Sequence, residues 1–180
     1  MIFNKFSNKQ GKMMKKTLRK LLNKEIKKPL HCIDSNIFLE STVDSKLGEI
    51  CKSHLSNMGK GKYYRGIVPV SVLGEINLII FRDLKEPIDR ISRLELLEKF
   101  IRLRDIDFVA PKREDHLLID ELMEAETRLE EMDAEHLVCA KRAGASVFLT
   151  FDSKLLGNRT LESILGMRIK HPQEFVNLNT

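Results

Sequence analysis

Cysteine is scarce in this chain, and the three present, Cys32, Cys51 and Cys139, lie far apart. Their odd number and the lack of any Cys-x-x-Cys spacing exclude a disulfide scaffold and point to a reducing, cytoplasmic setting. Long apolar runs are missing too. The best stretch, 66–81, is interrupted by Pro69 and Glu75 and falls short of the roughly 20 apolar residues that a spanning helix needs. The N-terminus is basic, but no apolar segment follows it, so a secretory signal is not expected. Internal repeats and low-complexity tracts are absent, and neither a His-Glu-x-x-His motif nor a Cys/His spacing suggests zinc. What remains is a soluble chain with no membrane partner. Its 180 residues, 42% of them hydrophobic, suffice for one α/β domain with a real core.

Charge is plentiful but unevenly divided. Residues 1–29 hold ten Lys/Arg and one acid, a net +9, so the overall +5 leaves −4 for residues 30–180. The chain therefore divides into a basic, partly helical N-terminal extension (1–29) and an acidic body (30–180). A basic segment beside an acidic body suggests capture of a polyanion, nucleic acid before membrane. A solubilising tail, or a chain that starts at Met13 or Met14, would give the same charge pattern. Tyr63 and Tyr64, beside Lys60, Lys62 and Arg65, interleave aromatic rings with bases as a nucleotide-stacking loop would. Two packing tyrosines in a surface loop are the preferred reading.

Apolar spacing in 13–28, at Met14, Leu18, Leu21, Leu22 and Ile26, predicts an amphipathic basic helix that Pro29 stops. A short strand then runs into Asp34, a helix is expected over 37–57, and the glycine-rich 57–66 reads as a loop. A second strand over 67–70 leads to a helix with Val72, Leu73, Ile76, Ile79 and Ile80 on its apolar face and Glu75 near its start. A charged helix (86–102), a third strand (106–110), a helix from Pro111 to about Glu124, and a helix carrying Ala134, Leu137, Val138 and Ala140 follow. Gly144 ends the last of these. The fourth strand is expected over 146–151, terminating at Asp152, and a fifth over 168–170, with a small helix opened by Pro172. This alternation predicts an α/β fold, a mostly parallel sheet between two helical layers.

On that plan Asp34 ends strand one, Glu75 begins the helix after strand two, Asp133 begins the helix before strand four, and Asp152 ends strand four. Asp34 could serve only as a helix cap. All strands of a parallel sheet end on one side, so these four carboxylates converge on one cleft, with Asp133 the assignment that topology supports least. Clustered carboxylates repel one another unless a cation neutralises them. An all-oxygen set selects Mg²⁺ or Mn²⁺, and such ions promote in-line hydrolysis of phosphodiesters. Alternation in SVFLTFD puts Thr150 on the side of Asp152, where its hydroxyl could orient a carboxylate, and Asn36 could do the same for Asp34. His136, three residues after Asp133, could be a base but is read as a surface histidine. Glu124, Glu126, Glu130, Glu131 and Glu135 are read as a solvated helix surface.

In order and spacing, CIDSNIFLE, VPVSVLGEI, MDAEHLVCAKRAGASVFLTFD and HPQEFV resemble the PIN domain family of metal-dependent ribonucleases, which includes VapC-type toxins. The resemblance covers about 30–178. It implies a three-layer α/β/α fold with strand order 3-2-1-4-5, a divalent-metal site of Asp34, Glu75, Asp133 and Asp152, and Thr150 and Asn36 as supporting catalytic groups. It implies an endoribonuclease for single-stranded or loop RNA, with RNA, a second copy of the chain and, for a toxin, an antitoxin protein as partners. The extension 1–29 lies outside the resemblance. Two other functions compete. A non-catalytic PIN-fold RNA-binding or scaffolding module gains nothing from four mutually repelling acids. A phosphatase with an Asp after strand one would show DxDx(T/V), where this chain has DSNIF.

Overall fold

The computed structural model describes residues 15–18, 20, 28–58, 63–104 and 106–178. Most of the extension, and with it most of the helix expected over 13–28, lies outside those residues; residues 15–18 and 20 are helical and exposed.

Five strands form one parallel sheet: β1 (Leu30–Ile33), β2 (Arg65–Pro69), β3 (Asp107–Val109), β4 (Val147–Leu149) and β5 (Arg168–Lys170), in the order β3-β2-β1-β4-β5. Parallel neighbours need long crossovers, and helices supply them. They are α1 (Ser35–Glu40), α2 (Lys46–Ser56), α3 (Val70–Asp83), α4 (Pro87–Arg104), α5 (His116–Ala125), α6 (Glu131–Arg142) and α7 (Arg159–Leu165), with 3-10 turns at Arg113–Asp115 and Pro172–Leu178. This is the expected α/β/α architecture, and the expected strand order.

Side-chain alternation along the strands builds two cores. Cys32, Ile67, Phe148 and Ile169 pack with Leu122, Leu137 and Leu161 of α5, α6 and α7. Their strand neighbours Ile33, Val68 and Leu149 point the other way and pack with Phe38, Leu55, Ile76 and Leu97 of α1 to α4. Strands buried on both faces read as continuous apolar runs, as HCI, IVP and VFL do. All three cysteines are buried and unpaired. No described helix is long and apolar enough to cross a membrane.

Several boundaries differ from expectation. The helix expected over 37–57 is two helices. At the break the Ser41 and Thr42 hydroxyls donate to the carbonyls of Phe38 and Leu39, both at 2.6 Å, which takes those acceptors out of any continuing helix. Ser45 then caps α2 by accepting the Gly48 N–H at 2.8 Å. Only glycine fits at 48, because a Cβ there would sit 2.2 Å from the Val43 carbonyl oxygen. The second strand starts at Arg65 and ends at Pro69, so Val70 already belongs to α3. The fourth strand ends at Leu149, so Asp152 lies beyond it. There Asn36 Oδ1 accepts the Phe151 N–H at 3.2 Å and Thr150 Oγ1 accepts the Asp152 N–H at 2.9 Å, so side chains replace a strand partner. The helix α7, which Asn158 caps through the Leu161 N–H, was not expected.

Candidate active site

The sheet reverses its winding between β1 and β4, since β2 and β3 lie to one side and β5 to the other. Loops leave such a pair in opposite directions, and a crevice opens at the carboxyl ends of the strands. Asp34 stands there. Its backbone N–H extends the sheet by donating to the Leu149 carbonyl at 3.1 Å, and the residue is only 5% exposed.

Both readings of Asp34 hold at once. Oδ1 caps α1 by accepting the Ser35 N–H at 2.7 Å. Oδ2 accepts the Thr150 hydroxyl at 2.6 Å and the Asn36 amide at 2.8 Å. Thr150, fully buried, also accepts from Asn36 Nδ2 at 3.0 Å and from the Asp152 N–H. A hydroxyl has one proton and two lone pairs, so Thr150 is saturated, and the group it orients is the Asp34 carboxylate. Asn36 is held in turn by the Phe151 N–H.

The other acids arrive from the flanking helices. Glu75 lies in the second turn of α3, the helix that leaves β2. Asp133 lies in the first turn of α6, which runs back beside the sheet to β4. Because a helix that precedes a parallel strand starts at the carboxyl edge, the residue topology supported least reaches the cleft by the same rule as the rest. Burial pushes the Asp34 carboxyl up to about 6, with the charges of Glu75 and Asp133 adding to the rise and the Thr150 and Ser35 bonds opposing it. Asp133 is raised to about 6 as well, by burial and then by Asp152, Glu130 and Glu75, against Lys154. Charge thus links Asp34 to Glu75 and Asp133, and Asp133 to Glu75 and Asp152, whereas of these four acids only Asp34 and Glu75 fall in the tight donor cluster found among the described residues. Asp152 accepts the Lys154 N–H at 2.7 Å, and the Lys154 ammonium, at the rim, pairs with Glu130 at 2.8 Å.

His136 is a correction. It is 1% exposed, not a surface residue, and one donor atom each from Asp34, Glu75 and His136 lie within 4.8 Å of one another. Burial lowers its pKa against the opposing charges of Glu75 and Glu135, which keeps the imidazole neutral. The signal was in the sequence: His136 lies beside the inward Leu137 and three or four residues from Asp133 and Ala140, on their face of the helix. Glu124, Glu130 and Glu131 are exposed, as expected, whereas Glu126 and Glu135 are half-buried. Tyr63 is exposed, while Tyr64 packs inside, stacked on His31 and His54. Lys60 and Lys62 lie outside the described residues.

A PIN domain family model matches residues 31–158. Among solved structures, the chain is similar to FitAcB from Neisseria gonorrhoeae, at 12% identity and a TM-score of 0.56, over 79% of this chain and 98% of that one. FitAB bound to an IR36 DNA fragment gives 10% identity and 0.54, over 79% and 94%. PAE2754 from Pyrobaculum aerophilum gives 12% and 0.54, over 83% and 94%. At such identities the likeness concerns the fold. No curated protein matches the sequence.

Proposed function

This chain belongs to the PIN domain family, and from that premise we propose that it is a divalent-metal-dependent endoribonuclease that hydrolyses phosphodiester bonds of single-stranded or loop RNA. PIN domains are generally nucleases and generally use divalent metals. The observation that carries the reading is Asp34, a buried carboxylate locked by Thr150, Asn36 and Ser35 at the winding reversal of the sheet, with the charges of Glu75 and Asp133 acting on it and Asp152 acting on Asp133. A fold without a use for this group would gain by replacing it, since buried like charges destabilise.

The donor set fits a cation. Burial first, and neighbouring acids second, make Asp34 and Asp133 hold their protons to unusually high pH, and a bound cation would offset both effects. Asp34, Glu75, Asp133 and Asp152 would hold Mg²⁺ or Mn²⁺. Such an ion supplies Lewis acidity at the scissile phosphate and lowers the pKa of water. Thr150 and Asn36 keep Asp34 in one orientation, and Lys154 offers a positive charge to the phosphate at the rim. Residues 30–180 form the nuclease unit, and the basic 1–29 supply the charge that an acidic site needs to attract RNA. The protein acts in the cytoplasm, as a monomer or with a second copy, and pairs with an antitoxin protein if it is a toxin.

The test compares wild type with Asp34→Asn on an end-labelled single-stranded RNA and on DNA of the same sequence, each with Mg²⁺ or Mn²⁺. Metal-dependent cleavage of the RNA by wild type alone, leaving a 5′ phosphate, is expected. Cleavage of DNA alone would reassign the substrate, and RNA binding without cleavage under any condition would return the binding-module reading.

A further inference from the structure

His136 has no evident structural purpose. Its ring is 1% exposed, and neither Nδ1 nor Nε2 has a hydrogen-bond partner among the described residues. Each orphaned polar group in a core is destabilising, whereas a leucine at this position of α6 would carry no such penalty. Nδ1 lies 3.9 Å from Asp34 Oδ1, too far for a hydrogen bond. Adjacent donors about 2.1 Å from a shared ion stand about 3 Å apart, so a shift of under about 1 Å from the 3.9 Å separation brings both groups onto one ion.

We propose that His136 supplies a neutral nitrogen donor to the cation held by Asp34 and Glu75, making this a mixed imidazole–carboxylate site that prefers Mn²⁺ to Mg²⁺. The inference rests on the metal-site reading above and extends it to the coordination sphere. A cation between the three groups gives the orphaned ring its missing partner. Imidazole is a borderline donor that binds transition metals in preference to Mg²⁺, which takes oxygen ligands almost exclusively. The preference therefore resides in one side chain, since the remaining acids bind either ion.

The experiment loads the full chain with Mn²⁺ and reads nitrogen hyperfine coupling by pulsed electron paramagnetic resonance, beside titrations of Mn²⁺ and Mg²⁺ affinity. Wild type, His136→Leu, His136→Gln, His171→Gln and Asp34→Asn are compared, with folding checked by circular dichroism. Wild type is expected to show an imidazole nitrogen coupling that survives in His171→Gln. Both His136 variants should lose it while still binding Mn²⁺, and their preference for Mn²⁺ over Mg²⁺ should fall by about tenfold or more, since even residues one shell further out change metal affinity that much. Mn²⁺ binding that needs Asp34 but shows no nitrogen coupling in wild type overturns this inference and leaves the carboxylate site standing. Mn²⁺ binding that is unchanged in Asp34→Asn overturns both. Should one His136 variant fail to fold, the other assigns the coupling, and a wild type without nitrogen coupling overturns the inference whatever the variants do.

Discussion

The hydroxyl of Thr150 donates a 2.6 Å hydrogen bond to Oδ2 of Asp34 across 116 residues of sequence. Thr150 and Asp34 follow directly on the adjacent strands β4 and β1, so this bond, with those from Asn36 and the Ser35 N–H, sets the orientation of the central carboxylate. Replacing Thr150 with Val keeps the shape but removes the donor to Asp34 and the acceptor for the Asp152 N–H. A loss of about 1–3 kcal/mol in denaturant-induced unfolding is expected, together with a fall in cleavage rate. Thr150→Ser should restore most of the activity. A Thr150→Val enzyme as active as wild type would show that the orientation of Asp34 does not matter.

Asp34→Asn and Asp152→Asn each remove a charge at nearly constant volume. Cleavage should be abolished in both, with circular dichroism unchanged. Because the Asp34 carboxylate is buried among like charges, metal-free Asp34→Asn should be at least as stable as wild type in urea, the trade between stability and function found at active sites. Unfolding of either variant would reassign that residue from the site to the scaffold.

Acid should weaken the fold through a second pair of residues. His31 Nδ1 lies 3.3 Å from His54 Nε2, and both rings stack on Tyr64 beneath Phe175. Burial lowers the His31 pKa to about 4. His54 falls to about 3, by burial and then by repulsion from His31. Both rings are neutral in the fold but take up protons in the unfolded chain below its ordinary value near 6.5, so the unfolded state binds more protons and stability falls as pH falls. The contribution of the two histidines at pH 7.5 should therefore be lost progressively from about pH 6.5 towards 4, by on the order of 1–3 kcal/mol, while Asp34 and Asp133, raised to about 6, take up protons in the fold over the same range and oppose that loss. Urea midpoints at pH 7.5 and 5 measure it, and His54→Phe should flatten the difference. A His54→Phe variant whose midpoint changes between the two pH values by as much as wild type's would refute the account.

The basic extension should act on RNA through charge. Deleting 1–28 removes ten bases and one acid, so affinity for single-stranded RNA should fall and the slope of log affinity against log salt should shrink by roughly 0.7 for each phosphate that is no longer neutralised. Fluorescence anisotropy from 50 to 300 mM salt, roughly the range over which counterion release is read, would show it. An unchanged slope would assign the extension another purpose.

The parts of the molecule legible in the sequence were those that depend on local pattern. HCI, IVP and VFL read as buried strands because apolar side chains on both faces leave no other use for them. Asp34, Glu75, Asp133 and Asp152 could be placed on one edge because a parallel sheet has only one carboxyl edge. The split between α1 and α2 was less legible, since it turns on the Ser41 and Thr42 hydroxyls choosing backbone carbonyls over water. The short α7 was missed altogether, and β4 proved shorter than its apolar run because Asn36 and Thr150 take the backbone N–H groups that would have continued it.

By itself, then, the sequence determined the alternation of strands and helices, the edge on which the acids gather and the basic character of the extension, because periodicity, strand direction and charge are properties of residues and their neighbours. Only the tertiary structure decided that His136 is buried against Asp34, that Thr150 spends its hydroxyl on Asp34, and that His31 and His54 share one aromatic stack. Each of these joins residues far apart in the chain. Burial, and the protonation behaviour that follows from it, depends on what the rest of the fold packs against a side chain.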